Sequence, residues 1–199
     1  MSGAAARRTR GRGPRGGGAD TRGDILAAAT GVFGERGYGA SSVREIARRA
    51  DVDPALVRHY FPTKADLFIE AVRPLHAGDP RISALATVPR EELGAAIVGL
   101  FLGVWDEPEM ARRLRALLAS IAESDDLGPL FASVMMRDVL GGLVREDRPE
   151  LRAQACGSQL VGLAMARYVV RMPAIADAPA EILAALYGPT LQRYLDGDV

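Results

Sequence analysis

A chain of 199 residues, 48% of them apolar, is long enough to bury a real core as one large domain or two small ones. Its single cysteine, Cys156, rules out an internal disulfide, and its longest uncharged apolar run, "LGAAIVGLFLGVW" at 93–105, falls short of the roughly 20 residues a membrane span needs. The formal charge is zero, yet residues 1–75 carry 13 Lys+Arg against 8 Asp+Glu and residues 76–199 carry 12 against 17, so a basic front and an acidic back point to different partners.

Residues 1–20 hold five arginines, six glycines and a proline, with almost nothing to bury, and read as a disordered basic arm. The arm is either a solvated tail or a strand that follows phosphates beside a main contact. No apolar targeting segment precedes the helices, so the expected compartment is a reducing cytoplasm. From Thr21 the pattern turns helical. Thr21 with Asp24 has the spacing of a capping box, Ile25, Leu26, Ala29 and Phe33 share a face, and Gly37 offers a stop. Starts recur at Ser42 with Glu45, at Asp53 before Pro54, and at Thr63 with Asp66. They predict helices near 22–36, 43–49, 54–60 and 64–73. The first three are too short and too closely joined to stand apart.

Beyond Pro74 long Ala/Leu-rich helices are expected near 90–105, 108–122, 129–145, 149–172 and 179–195, with Pro89, Pro108, Pro129, Pro149 and Pro179 near their starts. Residues 75–89 read as a loop or a short extra turn. The expectation is an all-α chain of about nine helices, divided into the arm 1–20, a helix-turn-helix unit with its linking helix over 21–73, and a larger helical domain over 74–199.

Sorting residues 53–61 by facing puts Val57 and Phe61, with Leu56 and Tyr60 beside them, on the side that packs against Val43, Ile46, Ala47 and Val52. The opposite side presents Pro54, Ala55, Arg58 and His59: small groups near the helix start, then two polar donors with reach. A short braced helix with such a face has the geometry of a helix-turn-helix reader.

The stretch "ILAAATGVFGERGYGASSVREIARRADVDPALVRHYFPTKADLF" resembles the N-terminal DNA-binding domain of the TetR family of transcriptional regulators through nearly its whole length. Ile25-Leu26, Ala28-Ala29, Phe33, Gly37-Tyr38, Ser42-Val43, Glu45-Ile46-Ala47, Ala50, Val52, Phe61, Lys64 and Leu67 carry the match. The resemblance implies that Ser42 and Lys64 contact phosphates at the starts of the second and fourth helices, which agrees with the affinity of helix N-termini for anions. Lys64 is the only lysine among 24 arginines. Two positions depart from the family pattern. Asp51 replaces the usual turn glycine, and Arg58 stands where a phosphate-contacting tyrosine is common, so Arg58 could meet a phosphate or a guanine edge.

Beside a reading helix, Arg44 is expected on the DNA backbone, with Arg48 and Arg49 on the same solvated helix. His59 has no nucleophile or acid spaced to partner it, and His76 and Cys156 lie far off, so neither a catalytic set nor a metal site is expected, and no cofactor. Cys156 reads as a small buried residue rather than a redox sensor. Met110, Met135, Met136, Met165 and Met172 are core filler by default. In a ligand-responsive protein Met110, Met135 and Met165 would line an adaptable pocket with Phe101, Trp105, Phe131 and Tyr168. Small residues in the last two long helices, among them Ala153, Ser158, Gly162, Ala164, Ala185 and Gly188, suit close helix packing, either inside one chain or between two.

The resemblance implies a homodimer through helices near 149–172 and 179–195, a double-stranded palindromic operator, and release by a small-molecule effector through the helix at 64–73. The expected function is therefore a DNA-binding transcriptional regulator of repressor type, without enzyme activity. The alternatives are an effector-independent repressor and, with less support, an enzyme using the C-terminal cavity.

Overall fold

Short polar side chains fix where the first four helices begin. In the computed structural model, which describes residues 20–73, 75, 79–135 and 139–198, helix α1 spans Thr21–Arg36, α2 Val43–Arg49, α3 Pro54–Tyr60 and α4 Lys64–Val72. The expectations for the arm over 1–19, for His76 and for Met136 lie outside these residues, as does the side chain of Met135. Ser42 caps α2 by accepting the Glu45 N–H at 3.2 Å, and Asp53 caps α3 by accepting the Ala55 N–H at 2.7 Å. Thr63 and Asp66 form a complete capping box on α4, with both bonds at 3.0 Å. The start of α1 corrects the sequence reading by one residue. Asp20, not Thr21, is the cap, its carboxylate accepting the Gly23 N–H at 2.9 Å.

These helices wrap one aromatic-rich core. Phe33 meets Phe68 edge-on at 5.0 Å, Tyr38 lies 5.0 Å from Phe68, and Phe33 and Tyr38 stack at 6.3 Å, so the three rings form a triangle. Ile25, Ile46, Val57 and Leu67 are fully enclosed around them. Burying each such side chain is worth about 1.5–3 kcal/mol, which is what holds together helices too short to persist alone. This core continues into the C-terminal half through Val104, Trp105, Leu114, Leu117, Leu127 and Tyr168.

The second half comprises α5 (Pro80–Leu85), α6 (Leu93–Trp105), α7 (Pro108–Glu123), α8 (Leu127–Met135), α9 (Pro149–Ala164), α10 (Pro173–Ala176) and α11 (Ala180–Asp196). A 3₁₀ turn at Arg90–Glu92 leads into α6. The fold is all-α, with eleven helical segments and no strand among the described residues. Two segments exceed the expected nine. Asp79 caps α5 within the stretch read as a loop or turn, and α10 is a single turn opened by Pro173. Of the helix expected over 129–145, α8 covers Leu127–Met135 and residues 139–140 are helical, whereas residues 141–144 form a turn that begins at the Gly141-Gly142 pair. The helix expected over 149–172 widens after Ala164 into a π turn at Met165–Val169, and Arg171 at φ 56° closes it.

Helices α6 and α11 touch backbone to backbone. A methyl group on Gly94 would lie 2.4 Å from the Gly188 carbonyl oxygen, and one on Gly188 would lie 2.8 Å from the Ala95 Cα. Of the small residues weighed as a surface between subunits, Gly188, Ala153 and Ala164 are thus buried inside this chain, whereas Ser158, Gly162 and Ala185 stay exposed. Buried Arg152 ties the far end of the bundle, donating to the Tyr194 and Gly197 carbonyls at 2.9 Å each and to the Asp147 carboxylate at 2.6 Å. A guanidinium there also answers the negative end of the α11 dipole. No helix among the described residues is long and apolar enough to cross a membrane.

Candidate nucleic-acid interface and interior cavity

The α2–turn–α3 unit is braced from within. Asp51 adopts φ 55°, the left-handed conformation the turn requires, and the Val52 N–H donates to the Ala47 carbonyl at 3.0 Å. Val57 is fully buried and Phe61 nearly so. Leu56 and Tyr60, expected beside them, instead remain 36% and 39% exposed. A seven-residue helix offers only one narrow stripe to its support, and Val57 and Phe61, four apart, fill it.

Ala55, Arg58 and His59 are exposed on α3, with Pro54 half-buried at its first position. Exposed Ser42 and Arg44 stand at the start of α2. Arg44, Arg48 and Arg58 form no ion pair among the described residues, whereas Arg49 bonds Glu35 at 2.7 Å and Arg36 bonds Glu45 at 3.1 Å. Among the described residues, the arginines of α2 and α3 without acidic partners are thus Arg44, Arg48 and Arg58, while Arg49 and Glu45 brace α2 against α1. Lys64 is half-buried. Its ammonium sits 4.2 Å from the Tyr38 ring centre and 3.5 Å from the Gly39 carbonyl, and burial lowers its pKa. Nothing in local sequence pattern marks that contact, because Tyr38 and Lys64 come from separate elements.

A second feature lies past the C-terminal end of α4. A cavity of about 90 Å³ runs between α6, α7, α8 and α9. Three of the expected pocket residues, Phe101, Trp105 and Phe131, line it, together with Leu100, Leu117 and Leu160. Met110 packs at the edge of the core instead, and Met165 is 37% exposed at the start of the π turn after α9. Tyr168 is buried elsewhere, donating its hydroxyl to the Asp106 carboxylate at 2.9 Å. Burial and that carboxylate raise the Tyr168 pKa. Arg167 joins the same node, bonding Asp106 at 2.7 and 3.0 Å and the Ile175, Ala176 and Ala178 carbonyls at 2.6, 3.2 and 3.0 Å. The cavity also holds a residue that sequence reasoning missed. Arg73, directly after α4, is the one charged side chain among the described lining residues. A signal was available, since the arginine sits where the amphipathic pattern of α4 breaks off before Pro74.

Cys156 is fully buried against α11, and burial pushes its thiol up to about 11, leaving it protonated at neutral pH. Among the described residues no group of three His, Cys, Asp or Glu side chains is placed to hold a metal ion. On the outside, α9 and the turn after it expose Leu151, Val161, Met165 and Val169, and α11 exposes Ile182 and Leu186, the last at 67% exposure.

Comparison with known proteins places these features. Residues 25–71 match the model for bacterial regulatory proteins of the tetR family, and residues 91–195 match that for a tetracyclin repressor-like C-terminal domain. The chain is 28% identical over 183 residues to the HTH-type transcriptional regulator BetI of Rhizobium meliloti, covering 87% of this chain and 90% of BetI. A TetR-family regulator from Streptomyces coelicolor A3 of known structure is 35% identical, with 93% of this chain and 98% of that one covered at a TM-score of 0.69. The multidrug binding protein EbrR, solved with imidazole, shares the fold at 21% identity and a TM-score of 0.56, with 92% and 97% covered. With a capped and braced reading helix in front and a matching regulatory bundle behind, the chain belongs to the TetR family of DNA-binding transcriptional regulators.

Proposed function

We propose that the protein is a cytoplasmic homodimeric repressor that binds a palindromic operator and leaves it when a small molecule enters the cavity past the end of α4. Residues 21–73 read DNA, and residues 74–199 hold the effector and the partner subunit. Pro54, Ala55, Arg58 and His59 meet base edges or phosphates in the major groove. Ser42, Arg44 and Lys64 fasten the head to the backbone. Lys64 does so after leaving Tyr38, a short swing for a side chain with four rotatable bonds. The protein works by binding and not by catalysis.

The observation that carries this reading is the exposed, acid-free face of α3, Ala55, Arg58 and His59, held outward by Val57 and Phe61. Dimerisation is supported by the exposed apolar side chains of α9, the turn after it and α11. Leu151, Val161, Met165, Ile182 and Leu186 face water in one chain, an arrangement a twin molecule would relieve. The effector role is supported by the apolar cavity, lined by Phe101, Trp105 and Phe131, which reaches Arg73 at the C-terminal end of α4. Its present free volume of about 90 Å³ is small beside the ~300–1,000 Å³ of drug-sized sites, so a guest must move the walls. Wall movement is how binding would favour a second conformer.

Selection of bound duplexes from a random-sequence pool tests the proposal. The expected product is a two-fold symmetric site, protected as two half-sites about one helical turn or more apart. Enrichment of no symmetric sequence would refute the operator reading.

A further inference from the structure

The cavity meets the DNA-reading head through ion pairs. Arg73, whose side chain is only 9% exposed, bonds the Glu70 carboxylate at 2.6 Å. The other oxygen of Glu70 takes Arg22 of α1 at 2.6 Å. The guanidinium of Arg22 lies 5.1 Å from the centre of the Phe61 ring, and Phe61 closes the reading helix. Thr30 adds a parallel tie from α1, donating to the Ala71 carbonyl at 3.2 Å. One charged side chain in an apolar wall is thereby joined, through two ion pairs and a cation–π contact, to the end of α3.

We infer that the cavity takes a molecule with an apolar body and one anionic group, and that Arg73 reads its charge and passes the change to α3 through Glu70 and Arg22. This rests on the cavity being the effector site. Leu100, Phe101, Leu117, Phe131 and Leu160 give an apolar body what it needs, and they offer a polar head nothing. Arg73, whose guanidinium is turned to Glu70, supplies the missing group by swinging into the cavity. A cationic head would meet a like charge there, and a neutral one would leave the bond to Glu70 in place. A carboxylate or sulfate competes with Glu70 for the same guanidinium, in surroundings that strengthen such bonds. Drawing Arg73 toward the cavity loosens Glu70, the carboxylate that clamps α1 to the end of α4. The head is then no longer held at the angle set by the Arg22–Glu70–Arg73 chain. Arg73 is the recognition residue, and Glu70 and Arg22 are positioning residues that act through it.

Four eight-carbon probes test the inference on the full chain: octanoate, octyl sulfate, octanol and octylammonium. Binding is measured calorimetrically, and DNA affinity is measured on a duplex selected by the protein itself. Both anions should bind about ten-fold or more tightly than octanol, and octylammonium should bind weakest, as a charge-assisted bond implies. Arg73→Gln should abolish the preference for anions while octanol binding stays. Arg22→Gln should keep the preference yet shrink the loss of DNA affinity that octanoate causes. A merely structural role for Arg22 would lower DNA affinity equally with and without octanoate. Equal binding of octanol and octanoate, or an anion preference that survives in Arg73→Gln, overturns the inference while leaving an effector site in place. If none of the four probes binds or alters DNA affinity, the effector reading falls together with it.

Discussion

The reading head and the regulatory bundle are both helical, yet they are specified differently. In the head, α1, α2, α3 and α4 each begin on a side chain that accepts a backbone N–H, from Asp20, Ser42, Asp53 and Thr63. In the bundle, α6, α7, α9 and α11 have no side-chain cap, and α7 and α9 start on proline. The head fixes its short helices residue by residue, as helices of seven and nine residues cannot rely on long packed faces. The bundle relies on long apolar faces, and those faces leave an unfilled space among Phe101, Leu117, Phe131 and Leu160. Precision belongs to the part that recognises a fixed lattice of phosphates and bases, and slack to the part proposed to accommodate a guest.

Perturbing the shared aromatic core should produce the largest effect. Phe68→Ala removes the ring that contacts both Phe33 and Tyr38 and should cost about 3–5 kcal/mol of stability, measured by denaturant unfolding. A cost near zero would mean that the head does not depend on tight packing. Next comes Arg58→Ala, which should leave stability unchanged and lose about 1–3 kcal/mol of operator affinity. If Arg58 reads a base, discrimination relaxes at one operator position. If it meets phosphate, affinity falls evenly across sequences and the salt slope becomes shallower. Titration against operator variants at two salt concentrations separates these outcomes, and unchanged binding rejects both.

Thr63→Ala dissolves the capping box of α4 and should cost about 1 kcal/mol, with Thr63→Ser restoring most of it in thermal melts. The smallest change should have the opposite sign and fall in the bundle. Gly157 lines the cavity within α9, and a methyl group there meets open space, so Gly157→Ala should raise stability by about 0.5–1 kcal/mol. It should also weaken binding of whatever fills the cavity. A destabilised Gly157→Ala protein would show that the apparent slack is already occupied by packing.

Much of the head was legible because its determinants are local. A cap, its partner three residues on and a proline at the first helical position are all visible within six letters, as at Asp53-Pro54 and Thr63–Asp66. Asp51 in the turn was legible for the same reason. The partial exposure of Leu56 and Tyr60 was not, since it depends on how wide a stripe α2 and α1 can cover. In the bundle, periodicity identified apolar faces without saying which neighbour each one meets. Phe101, Trp105 and Phe131 reached the cavity, but Met165 turned outward and Tyr168 was drawn to Asp106. Arg73 escaped notice because its meaning comes from Glu70, Arg22 and the cavity wall together. The Gly94–Gly188 approach likewise spans 94 positions of sequence, and no local rule joins them.

Lys64 has a practical consequence. As the sole lysine side chain, with an amine that burial makes easier to deprotonate, it gives amine-selective reagents one address in the folded body of the protein. Such a reagent consumes the ammonium proposed to hold a phosphate, so shielding of Lys64 by a bound double helix would report occupancy without altering any arginine.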